Sequence, residues 1–145
     1  MDKNGGELKI EAGMRLRVVE KLVTQEMINQ WAKLSGDFNP LHIDPQFGKK
    51  TLFGTNIAHG PLILSFIIEA LAGWFGKYWL MGGKLENCKI RTPVPPGSEF
   101  TIGAVITKND IGRDKKRHVK CDVFARHKDE RLIVSGNAVV EIEVL

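Results

Sequence analysis

The chain has 145 residues, of which 43% are hydrophobic and 26% are charged. These proportions are close to those of an average globular domain, and they exclude a disordered chain, a collagen-like fibre and a disulfide-rich scaffold. Lysine and arginine number 21 against 17 acidic residues, which gives a net charge of +4. This small excess does not indicate nucleic acid as a partner. The length, without repeats or linkers in the sequence, predicts a single domain over residues 1–145.

The location of the protein is predicted from its first residues, its cysteines and its most apolar stretch. Residues 1–6 lack the apolar core of a signal peptide, and Cys88 and Cys121 have no CxxC or Cys/His metal spacing. We therefore expect a cytoplasmic protein with reduced thiols. The apolar stretch 61–80 contains Glu69 near its middle, which argues against a membrane span and favours a helix buried inside the fold.

The first half of the chain predicts one strand followed by helices. Residues 15–23 alternate as a strand with Leu16, Val18 and Leu22 on one face. Thr24 is a suitable N-cap for a helix that ends at Gly36. The expected apolar stripe of that helix is Met27, Ile28, Trp31 and Leu34.

Proline marks the starts of the next helices. Asp44 and Pro45 predict an N-cap and first position of a short turn that ends near Lys50. Pro61 is expected to open the long apolar helix, because a first-turn residue needs no N–H partner within the helix. Gly73 and Gly76 weaken residues 61–80 as one continuous helix.

The second half of the chain predicts antiparallel strands. Period-two alternation follows residues 82–83, with clear runs at 100–107, 119–125 and 138–144 and turns at 109–113 and 128–130. A very apolar helix needs cover on most of its surface, and a curved antiparallel sheet wrapped around it would provide that cover. The expected class is therefore α+β.

Residues 35–42, Ser-Gly-Asp-Phe-Asn-Pro-Leu-His, form the first candidate functional segment. Asp37 and His42 flank a proline-containing loop between two helices, and a rigid loop can aim a carboxylate and an imidazole at one bound water. The same residues also suit a purely structural role. Asp37 can cap backbone N–H groups, and His42 can be a hydrogen-bonded loop histidine.

Residues 53–61, Phe-Gly-Thr-Asn-Ile-Ala-His-Gly-Pro, form the second candidate segment. Gly60 precedes the long helix, where free N–H groups and the helix dipole could stabilise a developing negative charge. An ordinary Gly-Pro helix entry accounts for the same residues. For His59, a structural hydrogen bond is favoured over a catalytic role.

Taken together, the Asp-Phe-Asn-Pro-Leu-His run and the later Ala-His-Gly resemble the MaoC-like dehydratases, also called hydratase 2 or R-specific enoyl-CoA hydratases. The resemblance begins near Thr24, is densest over residues 35–64, and continues through 92–97 into the last strands. It implies a hot-dog fold, with the antiparallel sheet wrapped around the long helix. It also implies a hydro-lyase of fatty acid metabolism that hydrates a trans-2-enoyl thioester of coenzyme A or acyl carrier protein to the 3R-hydroxyacyl thioester.

The resemblance also implies roles for individual residues. Asp37 and His42 would hold the catalytic water, the Gly60 N–H would contact the thioester carbonyl, and Asn39 would support the loop. No metal and no other cofactor is implied, and the assembly would be a homodimer or a higher homo-oligomer. Some relatives carry a serine near the substrate where this chain has Ile68, so the resemblance leaves the acyl preference open.

Three other functions fit parts of the sequence. A hot-dog thioesterase would use the same cradle for hydrolysis, although the Asp37 and His42 loop favours hydration. A non-catalytic acyl-thioester-binding module would not need Asp37, His42 and Gly60 together. A nucleic-acid binder is supported only by the net charge and by the basic run at residues 113–118.

Overall fold

The computed structural model describes residues 10–144, which form a helical block followed by a block of strands. The first block contains β1 (Val19–Leu22), α1 (Gln25–Ser35), α2 (Pro40–Ile43), α3 (Pro45–Lys49), α4 (Gly60–Phe75) and α5 (Lys77–Gly82). The second block contains β2 (Lys84–Ile90), β3 (Glu99–Ile111), β4 (Lys116–His127) and β5 (Leu132–Glu143).

The five strands form one antiparallel sheet in the order β1-β3-β4-β5-β2. Helix α4 contributes six buried residues to the core: Leu62, Ile63, Ile67, Ala70, Leu71 and Phe75. Alternate residues of β3 and β4 share that core, among them Ile102, Ala104, Val119 and Val123. The predicted α+β hot-dog architecture, with the sheet around one long apolar helix, is confirmed.

The helix and turn boundaries follow the local signals in most places. Thr24 Oγ1 accepts from the Met27 N–H, and Gly36 ends α1 in the left-handed region. Asp44 caps α3 through Oδ1, with Pro45 as its first residue. The apolar stretch is divided at Gly76, whose φ of 55° and ψ of −131° lie outside the helical region. No helix within residues 10–144 has the length and apolarity that a bilayer crossing requires.

The predicted strand at residues 15–23 is wrong in extent. Regular pairing covers only Val19–Leu22, and Arg15 makes an isolated bridge to Val105. Val23 is fully buried and bonds both Ser98 and Gly97 through its backbone, so alternation from this anchor turns Val18 and Leu22 outward.

The apolar stripe of α1 is also rotated from the predicted one. Ile28 and Ala32, four residues apart, are buried, whereas Met27 and Leu34 are exposed. Ile28 and Ala32 share one face because they are separated by about one helical turn. A small residue, Ala32, was therefore missed as a core position.

Two further differences concern the strands. Strand β2 has an irregular burial pattern and a register shift between Glu86 and Lys89, which explains why simple alternation did not delimit it. The predicted turn at 109–113 lies later, because β3 continues to Ile111 and pairs with Arg117. The turn therefore begins at Gly112.

Candidate active site

A ladder of short polar side chains shapes the loop that carries Asp37. Ser35 Oγ accepts the Asp37 N–H at 3.2 Å, and Asp37 Oδ1 accepts the Asn39 N–H at 3.1 Å. Asn39 Oδ1 then accepts the Leu41 N–H at 3.0 Å and caps α2. One carboxylate oxygen of Asp37 thus has a structural role, while the side chain remains 53% exposed. The other oxygen is available to a bound molecule.

His42 lies on the single turn of α2, half-buried, with its ring orientation set by the backbone of a distant segment. Its Nδ1 is 2.7 Å from the Ile57 carbonyl oxygen. A carbonyl can only accept, so Nδ1 carries the proton and Nε2 has a free lone pair in the neutral ring. His42 can therefore accept a hydrogen bond at Nε2 from a water molecule.

His59 brings the two candidate residues together. Its ring stacks on the His42 ring with centroids 3.8 Å apart, and its Nε2 is 3.0 Å from the Asp37 carbonyl oxygen and 3.9 Å from Asp37 Oδ2. One ligating atom from each of Asp37, His42 and His59 lies within 4.8 Å of the others. Residues separated by as many as 22 positions in sequence therefore form one cluster.

The hydrogen bonds of this cluster determine which ring nitrogens carry protons. The Asp37 carbonyl requires a proton on His59 Nε2, and the Ile57 carbonyl requires one on His42 Nδ1. Neither of those nitrogens can ligate a metal while it is protonated. The predicted lack of a metal or other cofactor remains a prediction.

Gly60 follows His59 directly and is the first residue of α4, a helix of 16 residues. Among residues 10–144, its N–H has no hydrogen-bond acceptor, and Pro61 has no N–H to compete with it. The start of a helix carries a partial positive charge. The Gly60 N–H is therefore a suitable donor for an oxygen that becomes negative during a reaction.

Asn56 is a structural residue of the site that the sequence interpretation missed. It is 3% exposed, and its Nδ2 donates to the carbonyls of Leu41 and Asp44, each at 2.9 Å. It thereby fixes α2, which carries His42, against the 54–60 loop. A Cβ atom at Gly48 would lie 2.6 Å from the backbone nitrogen of Asn56, which shows that α3 packs directly on this segment. No local pattern indicates these contacts, because the partners lie 12 and 15 residues away.

We expect Asn56→Ala to lower the melting temperature and to loosen the His42 turn. The substitution leaves buried carbonyls without their donor, a cost of about 1–3 kcal/mol. Gln30→Ala is the matched control, because Gln30 is an exposed amide of α1 whose side chain, as far as residues 10–144 show, hydrogen-bonds Glu26 on the same helix. Thermal unfolding of both variants checks the prediction, and equal melting temperatures would contradict it.

The remaining nucleophilic side chains do not suit covalent catalysis. Burial raises the pKa of the Cys121 thiol to about 11, and burial also raises the pKa of Cys88. A thiol with a raised pKa is a poor nucleophile at neutral pH. Ser65 donates to the Leu62 carbonyl at 2.7 Å within α4, and Ile68 is exposed. The cluster around Asp37 and His42 is therefore the best-formed candidate site in residues 10–144.

The architecture and the site place this chain among the hot-dog proteins. Residues 9–127 match the family of the MaoC-like domain. The chain therefore belongs to the MaoC-like domain family, and the resemblance inferred from its motifs is confirmed.

Relatives of known description are similar over most of the chain. It is 29% identical over 136 residues to the (R)-specific enoyl-CoA hydratase of Aeromonas caviae, which covers 92% of this chain and 96% of that protein. The structure of an (R)-hydratase from A. caviae involved in PHA biosynthesis matches with a TM-score of 0.78 and 29% identity, over 94% of this chain and 99% of that one.

A higher identity is limited to a shorter segment. The chain is 50% identical over 74 residues to the peroxisomal hydratase-dehydrogenase-epimerase of Saccharomyces cerevisiae, a match that covers 50% of this chain and 7% of that protein. These relatives are named as hydratases, which are hydro-lyases. The predicted enzyme class, a hydro-lyase, is therefore confirmed.

Proposed function

We propose that the protein reversibly hydrates a trans-2-enoyl thioester, carried by coenzyme A or acyl carrier protein, to the 3R-hydroxyacyl thioester. The observation that carries the proposal is the contact of His59 with both Asp37 and His42, because the residue after His59 is Gly60, whose N–H has no acceptor among residues 10–144. The similarity to an (R)-specific enoyl-CoA hydratase over nearly its whole length supports the same reaction. We further propose that residues 1–145 act as one domain in the cytoplasm.

The proposed mechanism assigns one task to each group. Asp37 takes a proton from water while the water oxygen bonds to the β-carbon, and His42 orients that water through Nε2. The electrons of the double bond move toward the thioester carbonyl, whose oxygen gains negative charge beside the Gly60 N–H. A proton that replaces the one taken by Asp37 is delivered to the α-carbon with the assistance of His42, which restores the thioester and leaves Asp37 ionised again. Asn39 supports the loop by capping α2.

An enoyl-CoA hydration screen over several acyl lengths tests the proposal. Loss of the conjugated double bond is followed by absorbance, and chiral analysis of the product identifies the 3R or 3S hydroxyacyl thioester. We expect 3R product from at least one chain length. The absence of hydration with every CoA and acyl-carrier-protein substrate would contradict the proposal.

The same screen distinguishes two other functions. A thioesterase would release free thiol from the substrate, whereas a hydratase leaves the thioester bond intact. A non-catalytic acyl-binding module would bind the thioester without forming either product. The exposed Asp37 carboxylate and the free Nε2 of His42 favour hydration, because pure binding needs neither group.

The basic run at residues 113–118 does not strengthen the case for nucleic acid. Lys116 pairs with Glu141 at 2.9 Å, and His118 lies 3.1 Å from Asp114. These contacts raise the pKa of Lys116 and lower the pKa of Glu141, chiefly through their shared hydrogen bond. The carboxylates offset part of the positive charge that a phosphate backbone would need.

We propose a homodimer as the smallest assembly. Strand β1 is a short edge strand that ends at the exposed Leu22 and follows the exposed Val18, and β2 forms the other edge with exposed Ile90. Further large apolar side chains are exposed, including Leu34, Phe38, Leu52, Phe53, Leu80 and Met81. Such surface area is commonly covered in an assembly. Sedimentation at micromolar concentration should give a dimer or larger, and a monomer alone would contradict the proposal.

A further inference from the structure

His59 is the most buried polar residue near the proposed site, and the mechanism described above gives it no task. It is 1% exposed, although it belongs to the same short segment as Gly60. Its Nε2 contacts the Asp37 carbonyl at 3.0 Å, so this nitrogen carries the proton. Its Nδ1 is buried and has no hydrogen-bond partner among residues 10–144. Burial of an unpartnered polar atom is costly, which argues that the ring serves more than packing.

The contact with Asp37 constrains the carboxylate through its own backbone. The Nε2–H bonds the carbonyl of Asp37 and lies 3.9 Å from Oδ2 of the same residue. Within residues 10–144, the other hydrogen bonds of Asp37 itself are local ones with Ser35 and Asn39. His59 is therefore the long-range hydrogen bond that fixes this loop to the start of α4.

The contact with His42 constrains the imidazole from a second direction. The two rings are stacked, with centroids 3.8 Å apart and planes 28° apart. The Ile57 carbonyl, two residues before His59, holds the edge of the His42 ring through Nδ1. One segment, residues 57–59, thus holds the edge and the face of the ring whose Nε2 is available to water.

We propose that His59 is a positioning residue that aligns Asp37 and His42 on one water, by its Nε2–H for Asp37 and by its ring face for His42. This inference rests on the proposed hydration activity. His59 does not touch the reacting atoms, and its effect is exerted entirely through the other two residues. Misplacing a catalytic group by about 1 Å can cost on the order of 100-fold in rate.

Two substitutions separate the hydrogen bond from the stack. In His59→Gln the side-chain nitrogen can reach the place of Nε2, so the donor to Asp37 is kept and the aromatic face is lost. In His59→Phe the ring face is kept and the donor is lost. We expect both variants to lower kcat and His59→Ala to lower it most, on the order of 100-fold. KM should change much less, because the Gly60 N–H is retained.

His127→Gln is the matched control for the loss of a buried histidine. His127 is 8% exposed, and its Nε2 donates to the Pro93 carbonyl at 3.2 Å, with no contact to Asp37 or His42. It should lower the melting temperature without lowering kcat per folded molecule. If His59→Ala does not fold, the Gln and Phe variants still provide the comparison.

The outcomes separate this inference from the proposed function. Wild-type protein without hydration activity overturns the proposed function. Active wild-type protein whose Gln and Phe variants at position 59 keep full kcat per folded molecule overturns only the positioning role. Equal losses of kcat in the His59 and His127 variants also overturn it, because the effect would then belong to any buried histidine.

Discussion

Asp37→Asn is expected to lower turnover by about 100-fold or more, the usual scale for a positioned general base. Asparagine retains an Oδ1 that can accept the Asn39 N–H, so the loop ladder persists. It cannot take a proton from water as a carboxylate does. Hydration assays and circular dichroism check the prediction, with native-like secondary structure expected.

The matched control for this change is Asp44→Asn. Asp44 caps α3 by accepting the Gln46 and Phe47 N–H groups through Oδ1, and asparagine caps helices about equally well. The control removes one negative charge close in sequence to the site, and it should keep near-wild-type turnover. Near-wild-type turnover of a folded Asp37→Asn protein would show that the carboxylate is not the base.

His42→Ala and Asp37→Ala are expected to show strongly non-additive losses of turnover when combined. If both residues hold one water, removal of either leaves the water misplaced, and the second removal costs little more. The rings and carboxylate form one connected cluster through His59, which makes this coupling physically reasonable. Apparent affinity for the thioester should change less than turnover, because the Gly60 N–H remains.

Measurement of melting temperature beside turnover distinguishes the shared water from a structural histidine. A structural His42, held by the Ile57 carbonyl and the His59 ring, predicts lower stability with nearly intact turnover per folded molecule. Losses that multiply fully in the double variant would rule out the shared-water mechanism. The Asp37 and His42 roles would then need separate explanations.

Local chemistry accounts for the features that could be predicted from residue order. The caps Thr24 and Asp44 bond N–H groups two or three residues away, and Pro61 lies at the first turn of α4. Interactions of this range are visible in a short window of sequence. The alternation of β3 and β4 was likewise readable, because one face of each strand packs on the core.

The family motifs identified the types of the candidate site residues and their order in the sequence. Asp37, Asn39, His42 and Gly60 were identified from two short segments, and the structure brings the segments together. The extent of the strand in residues 15–23 and the stripe of α1 were predicted wrongly, since each depends on contacts with distant segments. Val23 is oriented by Ser98 and Gly97, which no window around β1 contains.

Residue order thus specified the helix boundaries, most of the strands and the chemical groups available for a reaction. Tertiary packing specified their arrangement: His59 against Asp37 and His42, and Asn56 against the carbonyls of Leu41 and Asp44. These contacts join groups 12 to 22 residues apart, for which sequence periodicity has no signal. The physical reason is that a cap or a strand face is decided by neighbours, whereas a ring's hydrogen-bond partner is decided by whichever segment the fold places beside it.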